Sequence, residues 1–129
     1  MRIEHIALYT GDIERLRSFY IKYFSAVSGE MYHNPKTGLK TYFLTFEGGA
    51  RLELMTRPET KDEERNPYKA GYIHTAFSTG SKEKVDSLTK RLENDGFVIA
   101  GQPRVTGDGY YESVVLDPDG NFIEITVKK

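Results

Sequence analysis

The sequence predicts an α+β fold made of two βαβββ modules, and three features carry that expectation. The first is an internal repeat. Ile3-Glu4-His5-Ile6-Ala7 is echoed by Tyr72-Ile73-His74-Thr75-Ala76, and Gly49-Ala50-Arg51-Leu52-Glu53-Leu54 by Gly120-Asn121-Phe122-Ile123-Glu124-Ile125. The second is that each copy runs from a short strand-like segment, through a turn with a capping residue, into one stretch of helical period. The third is that each copy closes in strand-length runs punctuated by glycine, proline, asparagine and aspartate.

The elements follow in order. Residues 3–9 read as the opening strand, and Thr10-Gly11-Asp12 turns the chain with Asp12 as helix N-cap. Ile13, Leu16, Phe19, Tyr20, Tyr23, Phe24 and Val27 fall on one stripe of period 3.6, which predicts an amphipathic helix through Val27. Residues 30–33, 40–47 and 50–56 read as strands, separated by Asn34-Pro35-Lys36-Thr37-Gly38 and Gly48-Gly49. His33, beside Asn34-Pro35, reads as a surface loop histidine. Residues 58–69 are charged, bounded by prolines and aperiodic, and read as a linker. Module 1 then covers residues 1–57 and module 2 residues 70–129, the whole being one domain.

The second module repeats the first. Residues 71–78 form its opening strand, Ser81 caps its helix, and Val85, Leu88 and Leu92 mark the buried stripe. Asn94-Asp95-Gly96 ends that helix in a left-handed cap. Strands are expected over residues 97–100, with a possible extension to Arg104, and over residues 110–116 and 121–127. Asp117-Pro118-Asp119-Gly120 is the turn between the last two.

The chain has 129 residues, 38% hydrophobic and 29% charged, with a net charge of −1. Such a balance gives no electrostatic reason to expect nucleic acid or an anionic membrane as partner. The absence of cysteine excludes disulfides, thiolate ligands and a cysteine nucleophile. No run approaches the roughly 20 apolar residues of a membrane span, and no signal-peptide core follows Met1. A cytoplasmic location is expected.

Strand alternation places the chemistry. Ile6 and Leu8, Leu52 and Leu54, Ile73 and Phe77, and Ile123 with Ile125 and Val127 belong to the face that the helices must cover. His5, Glu53, His74 and Glu124 then emerge on the opposite face. Singly, a strand histidine or a glutamate between leucines is usually structural or solvated. Four ligand-type residues at equivalent points of two repeats are a much tighter coincidence. Two imidazoles and two carboxylates suit one divalent metal ion per site, Zn²⁺ or Ni²⁺ first, with Co²⁺, Mn²⁺ and Fe²⁺ also compatible. The expected architecture is therefore a curved, partly open mixed sheet around a central metal cavity, with the helices on the outer face. Tyr9, Met55, Tyr72 and Phe122 are expected to line that cavity, one ring of Tyr110-Tyr111 to join them, and Arg51 and Arg104 to meet an anionic substrate. Gly107-Asp108-Gly109 reads as a turn with no helix behind it, and Ser113 has no histidine partner for nucleophilic work.

The paired βαβββ pattern, His5, the Gly11-Asp12 helix start, His74 and the run Leu116-Asp117-Pro118-Asp119-Gly120-Asn121-Phe122-Ile123-Glu124-Ile125 resemble the vicinal oxygen chelate superfamily. That group includes glyoxalase I, bleomycin-resistance proteins and extradiol dioxygenases, and the resemblance spans nearly the whole chain. The full His, Glu, His, Glu set is similar to the glyoxalase I subgroup; dioxygenase and fosfomycin-resistance members keep a set that would here be His5, His74 and Glu124. The resemblance implies a lyase or isomerase that converts the hemithioacetal of a 2-oxoaldehyde, or a related vicinal-oxygen substrate, by metal-assisted proton transfer through an enediolate. Glu124 would be the mobile base and Glu53 its counterpart. Tyr9 and Arg57 stand where glyoxalase I enzymes carry an arginine and an asparagine that help hold glutathione, which leaves the thiol carrier open and adds Arg57 to the pocket residues. The resemblance also implies a homodimer with the site at the subunit interface. The alternatives are a small-molecule binding or resistance protein without chemistry, or an Fe²⁺-dependent dioxygenase.

Overall fold

In the computed structural model, residues 1–128 are described. They form two compact units, Met1–Glu63 and Glu64–Lys129, whose boundary falls inside the charged linker. Each unit carries one helix against one mixed sheet.

In the first unit, β1 (His5–Tyr9) leads to α1 (Ile13–Phe24), then β2 (Val27–Ser28), β3 (Tyr32–His33), β4 (Lys40–Thr45) and β5 (Arg51–Thr56). The sheet order is β1-β5-β4-β2, with β3 also pairing β4. β1 runs parallel to β5, and the other pairs are antiparallel. Asp12 caps α1 by accepting from the Arg15 N–H, and Thr10 Oγ1 accepts from the Asp12 N–H. Leu16, Phe19, Tyr20 and Tyr23 are buried with Leu44, Leu52 and Leu54 of the sheet. Tyr42 fastens helix to sheet: its hydroxyl donates to Glu14 at 2.6 Å, which pushes its own pKa up, and Arg17 lies over its ring.

Two expectations fail here, for one reason. The apolar stripe predicts helix through Val27, yet α1 stops at Phe24, because Ser25 takes a left-handed conformation (φ 56°) and closes a bond to Tyr20 O. Val27 then joins β2, pairs with Thr45 and is exposed. The strand expected over residues 30–33 is reduced to β3, with β2 formed ahead of it, and His33 ends β3 rather than lying in a loop. Left-handed geometry costs a non-glycine residue roughly 1–2 kcal/mol. Ser25→Gly is therefore expected to raise stability by about 0.5–1 kcal/mol after glycine's entropy cost, read as a higher urea midpoint at unchanged slope.

In the second unit, β6 (His74–Ser78) leads to α2 (Lys82–Asn94), β7 (Ile99–Val105), β8 (Tyr110–Leu116) and β9 (Phe122–Lys128). The order is β6-β9-β8-β7, with β6 parallel to β9. Ser81 caps α2 through the Lys84 N–H, and Gly96 takes the left-handed position at its end (φ 91°). Val85 and Leu92 are buried against Val115, Ile123 and Ile125. Thr89, absent from the expected stripe, is buried too. Its hydroxyl donates to Val85 O and meets Ser113 Oγ, each at 2.6 Å, which accounts for a buried serine without catalysis. β7 starts at Ile99 rather than at residue 97 and reaches Val105, so the longer of the two expected forms is the one that occurs.

The face assignment is settled by register. Leu8 opposes Leu54 and Phe77 opposes Ile125, while Ala7 opposes Glu53 and Ala76 opposes Glu124. The helices cover the first set. Coverage weakens at the edge strands, where Ile6 is 40% and Ile73 43% exposed. No helix among the described residues is long and apolar enough to cross a membrane.

Candidate metal centre

Each unit brings one histidine to one glutamate. β1 and β5 run in parallel, so His5 at the start of β1 reaches Glu53, with Nε2 3.9 Å from Glu53 Oε1. β6 and β9 do the same: His74 Nε2 lies 3.3 Å from Glu124 Oε2. The glutamates are the less exposed partners, 16% for Glu53 and 20% for Glu124, against 41% for His5 and 36% for His74. Within neither unit do the described residues gather three or more metal-holding His, Asp or Glu side chains. Each unit contributes a pair.

The pairs fit a divalent cation. Imidazole nitrogen and carboxylate oxygen bond such ions at about 2.0–2.2 Å, so two of them on one ion sit roughly 3.0–3.5 Å apart at tetrahedral or octahedral angles. The His74–Glu124 pair already has that spacing, and the His5–Glu53 pair is slightly wider. Nitrogen and carboxylate donors without sulfur suit Zn²⁺, Ni²⁺, Co²⁺, Fe²⁺ and Mn²⁺ alike.

The two pairs differ in their surroundings. Around His5, Glu4 contacts the ring Nδ1, and Arg51 Nε donates to the other Glu4 oxygen at 2.8 Å. His5 first, and then Arg51, hold the Glu4 carboxyl below the usual glutamate range. The His5 ring meets Phe43 edge-on at 5.4 Å, and the Arg51 guanidinium lies 4.0 Å from the centroid of the same phenyl ring. Around Glu124 the wall is polar. Burial pushes the Glu124 carboxyl up, with His74 and Arg104 opposing and Glu112 and Asp108 adding to the rise. Arg104 Nη2 is 3.8 Å from Glu112 Oε1.

β7, which carries Arg104, has two register shifts, one between Ile99 and Gly101 and one between Gly101 and Arg104. Gly101 opposes Val114 and Arg104 opposes Glu112, so three steps on β7 match two on β8. Between Ile99 and Gly101 two steps on β7 match one on β8, so the two bulges cancel in parity and Arg104 stays on the face of Glu124. Its Nη1 lies 3.3 Å from where a Cβ on Gly101 would stand. Gln102 faces the other way and bonds Glu93 of α2.

Of the remaining pocket candidates, Tyr9 and Met55 oppose each other on the Glu53 face, Phe122 opposes His74, and Tyr110 shares the face of Glu112. Tyr111 points to the helix side, where its hydroxyl donates to Asp86. Tyr72 precedes β6 and is fully exposed. Arg57 lies beyond β5, with Nε 3.7 Å from Glu59. Glu4 and Glu112 were not foreseen as site residues. For Glu112 the signal was available, since residues 110, 112 and 114 alternate onto one face.

Comparisons with known proteins place the fold in a family. Residues 2–125 match the model of the glyoxalase/bleomycin resistance protein/dioxygenase superfamily. Biphenyl-2,3-diol 1,2-dioxygenase 2 of Rhodococcus globerulus is 31% identical over 129 residues, covering 98% of this chain, which spans 62% of the length of that relative. A glyoxylase/bleomycin resistance protein/dioxygenase domain from Frankia sp. EAN1pec shares the fold at a TM-score of 0.84 and 16% identity, covering 98% of this chain and 97% of its own. The trypanothione-dependent glyoxalase I of Leishmania major does so at 0.77 and 20%, covering 97% and 85%. With the repeat, the folds of both units and a family match over almost the full length, the chain belongs to the glyoxalase/bleomycin resistance protein/dioxygenase superfamily.

Proposed function

We propose that the chain is a metal-dependent lyase or isomerase of the glyoxalase type. It would move a proton between adjacent carbons of a small substrate with an oxygen on each, such as the hemithioacetal of a 2-oxoaldehyde. The observation that carries this reading is the second carboxylate. A His–Glu pair stands at the same strand positions of both units, where a three-ligand site would need only His5, His74 and Glu124. His5, Glu53, His74 and Glu124 would hold a divalent ion, which would supply Lewis acidity to the reaction.

The chain's own residues do the rest. Glu124, anchored on β9 between Ile123 and Ile125, which are buried on the other face, takes the proton beside the carbonyl and returns it to the neighbouring carbon. Glu53 is its counterpart on the other half-set. Tyr9 and Met55 supply apolar contact to the substrate, and Tyr110, Phe122 and Arg104 line the more polar side. Tyr9 and Arg57 replace residues that hold glutathione elsewhere in the family, so a different thiol is equally open. One pair alone is too small a ligand set, which supports a homodimer in which His5 and Glu53 of one chain meet His74 and Glu124 of another.

The test begins with the metal content of the purified protein. Hemithioacetals of methylglyoxal with glutathione and other thiols are then assayed after metal removal and after restoration of Zn²⁺ or Ni²⁺. Metal-dependent isomerisation and a dimer in sedimentation are expected. Stoichiometric metal with no turnover on any thiol adduct would sink the proposed reaction.

The similarity to a ring-cleaving dioxygenase favours a second reading, an Fe²⁺ enzyme acting on catechols. Oxygen uptake with biphenyl-2,3-diol under reducing conditions would establish it in place of the first.

A further inference from the structure

The structure assigns to Glu4 the role of positioning residue for His5: its carboxylate fixes the imidazole as the Nδ1–H tautomer and leaves Nε2 as the bare donor facing Glu53. This rests on the metal reading above for its consequence, but the tautomer itself does not need a metal.

Four side chains from three neighbouring stretches make the device. Glu4 precedes β1, Phe43 lies on β4 and Arg51 opens β5. The parallel ladder brings Glu4 to Arg51, whose backbone N–H donates to Glu4 O at 2.9 Å. The Arg51 side chain then returns to the same residue, with Nε on Glu4 Oε1 at 2.8 Å and Nη2 in contact with that oxygen. Glu4 Oε2 is thereby aimed at His5 Nδ1. An ionised carboxylate can only accept, so the nitrogen it meets must carry the proton. In the neutral ring the opposite nitrogen, Nε2, then carries no proton on the side of Glu53. Phe43 completes the restraint by packing edge-on to the imidazole while its face supports Arg51.

The other unit lacks every part of this device. Ile73 stands at the position of Glu4, Phe122 at that of Arg51, and Val114 at that of Phe43, the residues opposite His74 and Glu124. His74 has its carboxylate on the Nε2 side at 3.3 Å. The repeat therefore holds two histidines of equal position and unequal support. Histidine ligands are commonly oriented by a carboxylate on the second nitrogen, and losing that partner typically costs 10–100-fold in metal affinity. The device puts that cost on one half-set only.

The test uses the full chain labelled with ¹⁵N and freed of metal. Long-range imidazole correlations, recorded where the rings are neutral, read the tautomer of each histidine. In the wild type, His5 is expected to show protonated Nδ1 and bare Nε2. In Glu4→Ala it is expected to shift toward the Nε2–H form, while His74 stays unchanged as internal control. Glu4→Gln should lie between, since the amide oxygen still accepts from Nδ1–H but carries no charge.

The second arm is competition for Zn²⁺ against a chelator. Glu4→Ala is expected to weaken binding by about 10–100-fold, with Glu4→Gln less affected and Ile73→Ala near wild type. A His5 tautomer that is the same in wild type and Glu4→Ala overturns the assignment, whatever the metal does. Unchanged Zn²⁺ affinity in Glu4→Ala overturns its consequence for the metal. A wild-type chain that takes up no Zn²⁺ but shows the Glu4-dependent tautomer supports the assignment and overturns the metal reading instead.

Discussion

Replacing Glu124 by glutamine is expected to lower kcat on hemithioacetal substrates by about 10²–10⁴-fold, the usual contribution of a positioned general base. The amide keeps the shape of the side chain and one oxygen donor, but it cannot take up a proton at neutral pH. Ile123 and Ile125 on either side are fully buried, so the backbone at 124 stays anchored and the change remains local. Metal content is measured beside kcat because Glu124 is also a proposed ligand. Retained metal with lost turnover marks a base, and loss of both marks a ligand. Turnover within a few-fold of wild type would remove Glu124 from proton transfer. Glu53→Gln is expected to cost less in kcat and more in metal retention.

Much of this site was visible in the sequence because strand alternation and an internal repeat are both local signals. His5, Glu53, His74 and Glu124 could be put on one face each from their leucine and isoleucine neighbours alone, and the registers agree. The features that were not visible depend on departures from regular geometry or on distant pairing. Val27 continues the helical stripe perfectly well, and only the left-handed turn at Ser25 takes it out. The two register shifts in β7 had no signal in the sequence, but they cancel, so Arg104 keeps the face that alternation counted from Ile99 gives it. Glu4 looks like a solvated residue until β1 pairs in parallel with β5 and Arg51 arrives beside it. Thr89 hides in an otherwise polar face because its hydroxyl finds partners inside.

Asp117→Ala is expected to destabilise the chain by about 2–4 kcal/mol. The Asp117 side chain organises the turn that leads into β9. Its Oδ1 accepts from the backbone N–H groups of Asp119 and Asn121, each at 2.9 Å, and its Oδ2 accepts from Asn121 Nδ2 at 2.8 Å. The residue is 4% exposed. Alanine leaves those half-buried donors without their acceptor, at up to roughly 1–3 kcal/mol each, partly offset by water and because no carboxylate then has to be desolvated. Urea denaturation at neutral pH measures the loss, and a change below about 0.5 kcal/mol, the ordinary scatter of surface substitutions, would mean that the turn stands without it.

Asp117→Asn should be far milder, because the amide oxygen still accepts from both backbone donors. It also isolates a pH effect. Burial raises the Asp117 carboxyl above its ordinary value, against the pull of its hydrogen bonds. The folded chain thus holds that proton to higher pH than the unfolded chain, whose aspartate titrates near 3.9. Stability contributed by the protonated group is complete below that value and is lost as pH rises through the folded value. Asparagine has no such titration, so the stability of Asp117→Asn relative to wild type should climb as pH is raised across the window. A difference that stays flat or falls would reverse the assigned direction.

The bulged spacing of β7 has a consequence for solubility. β7 is the edge opposite β6 in its sheet, and an edge of regular backbone invites strands from other molecules. Pro103 removes one amide donor there, and the extra residue breaks the even spacing that a docking strand would need. The sheet of the first unit meets the same hazard differently, by ending in the two-residue pieces β2 and β3. Both devices deny aggregates a template along these margins. The shorter pieces do so by fragmentation, and β7 does so by its uneven spacing.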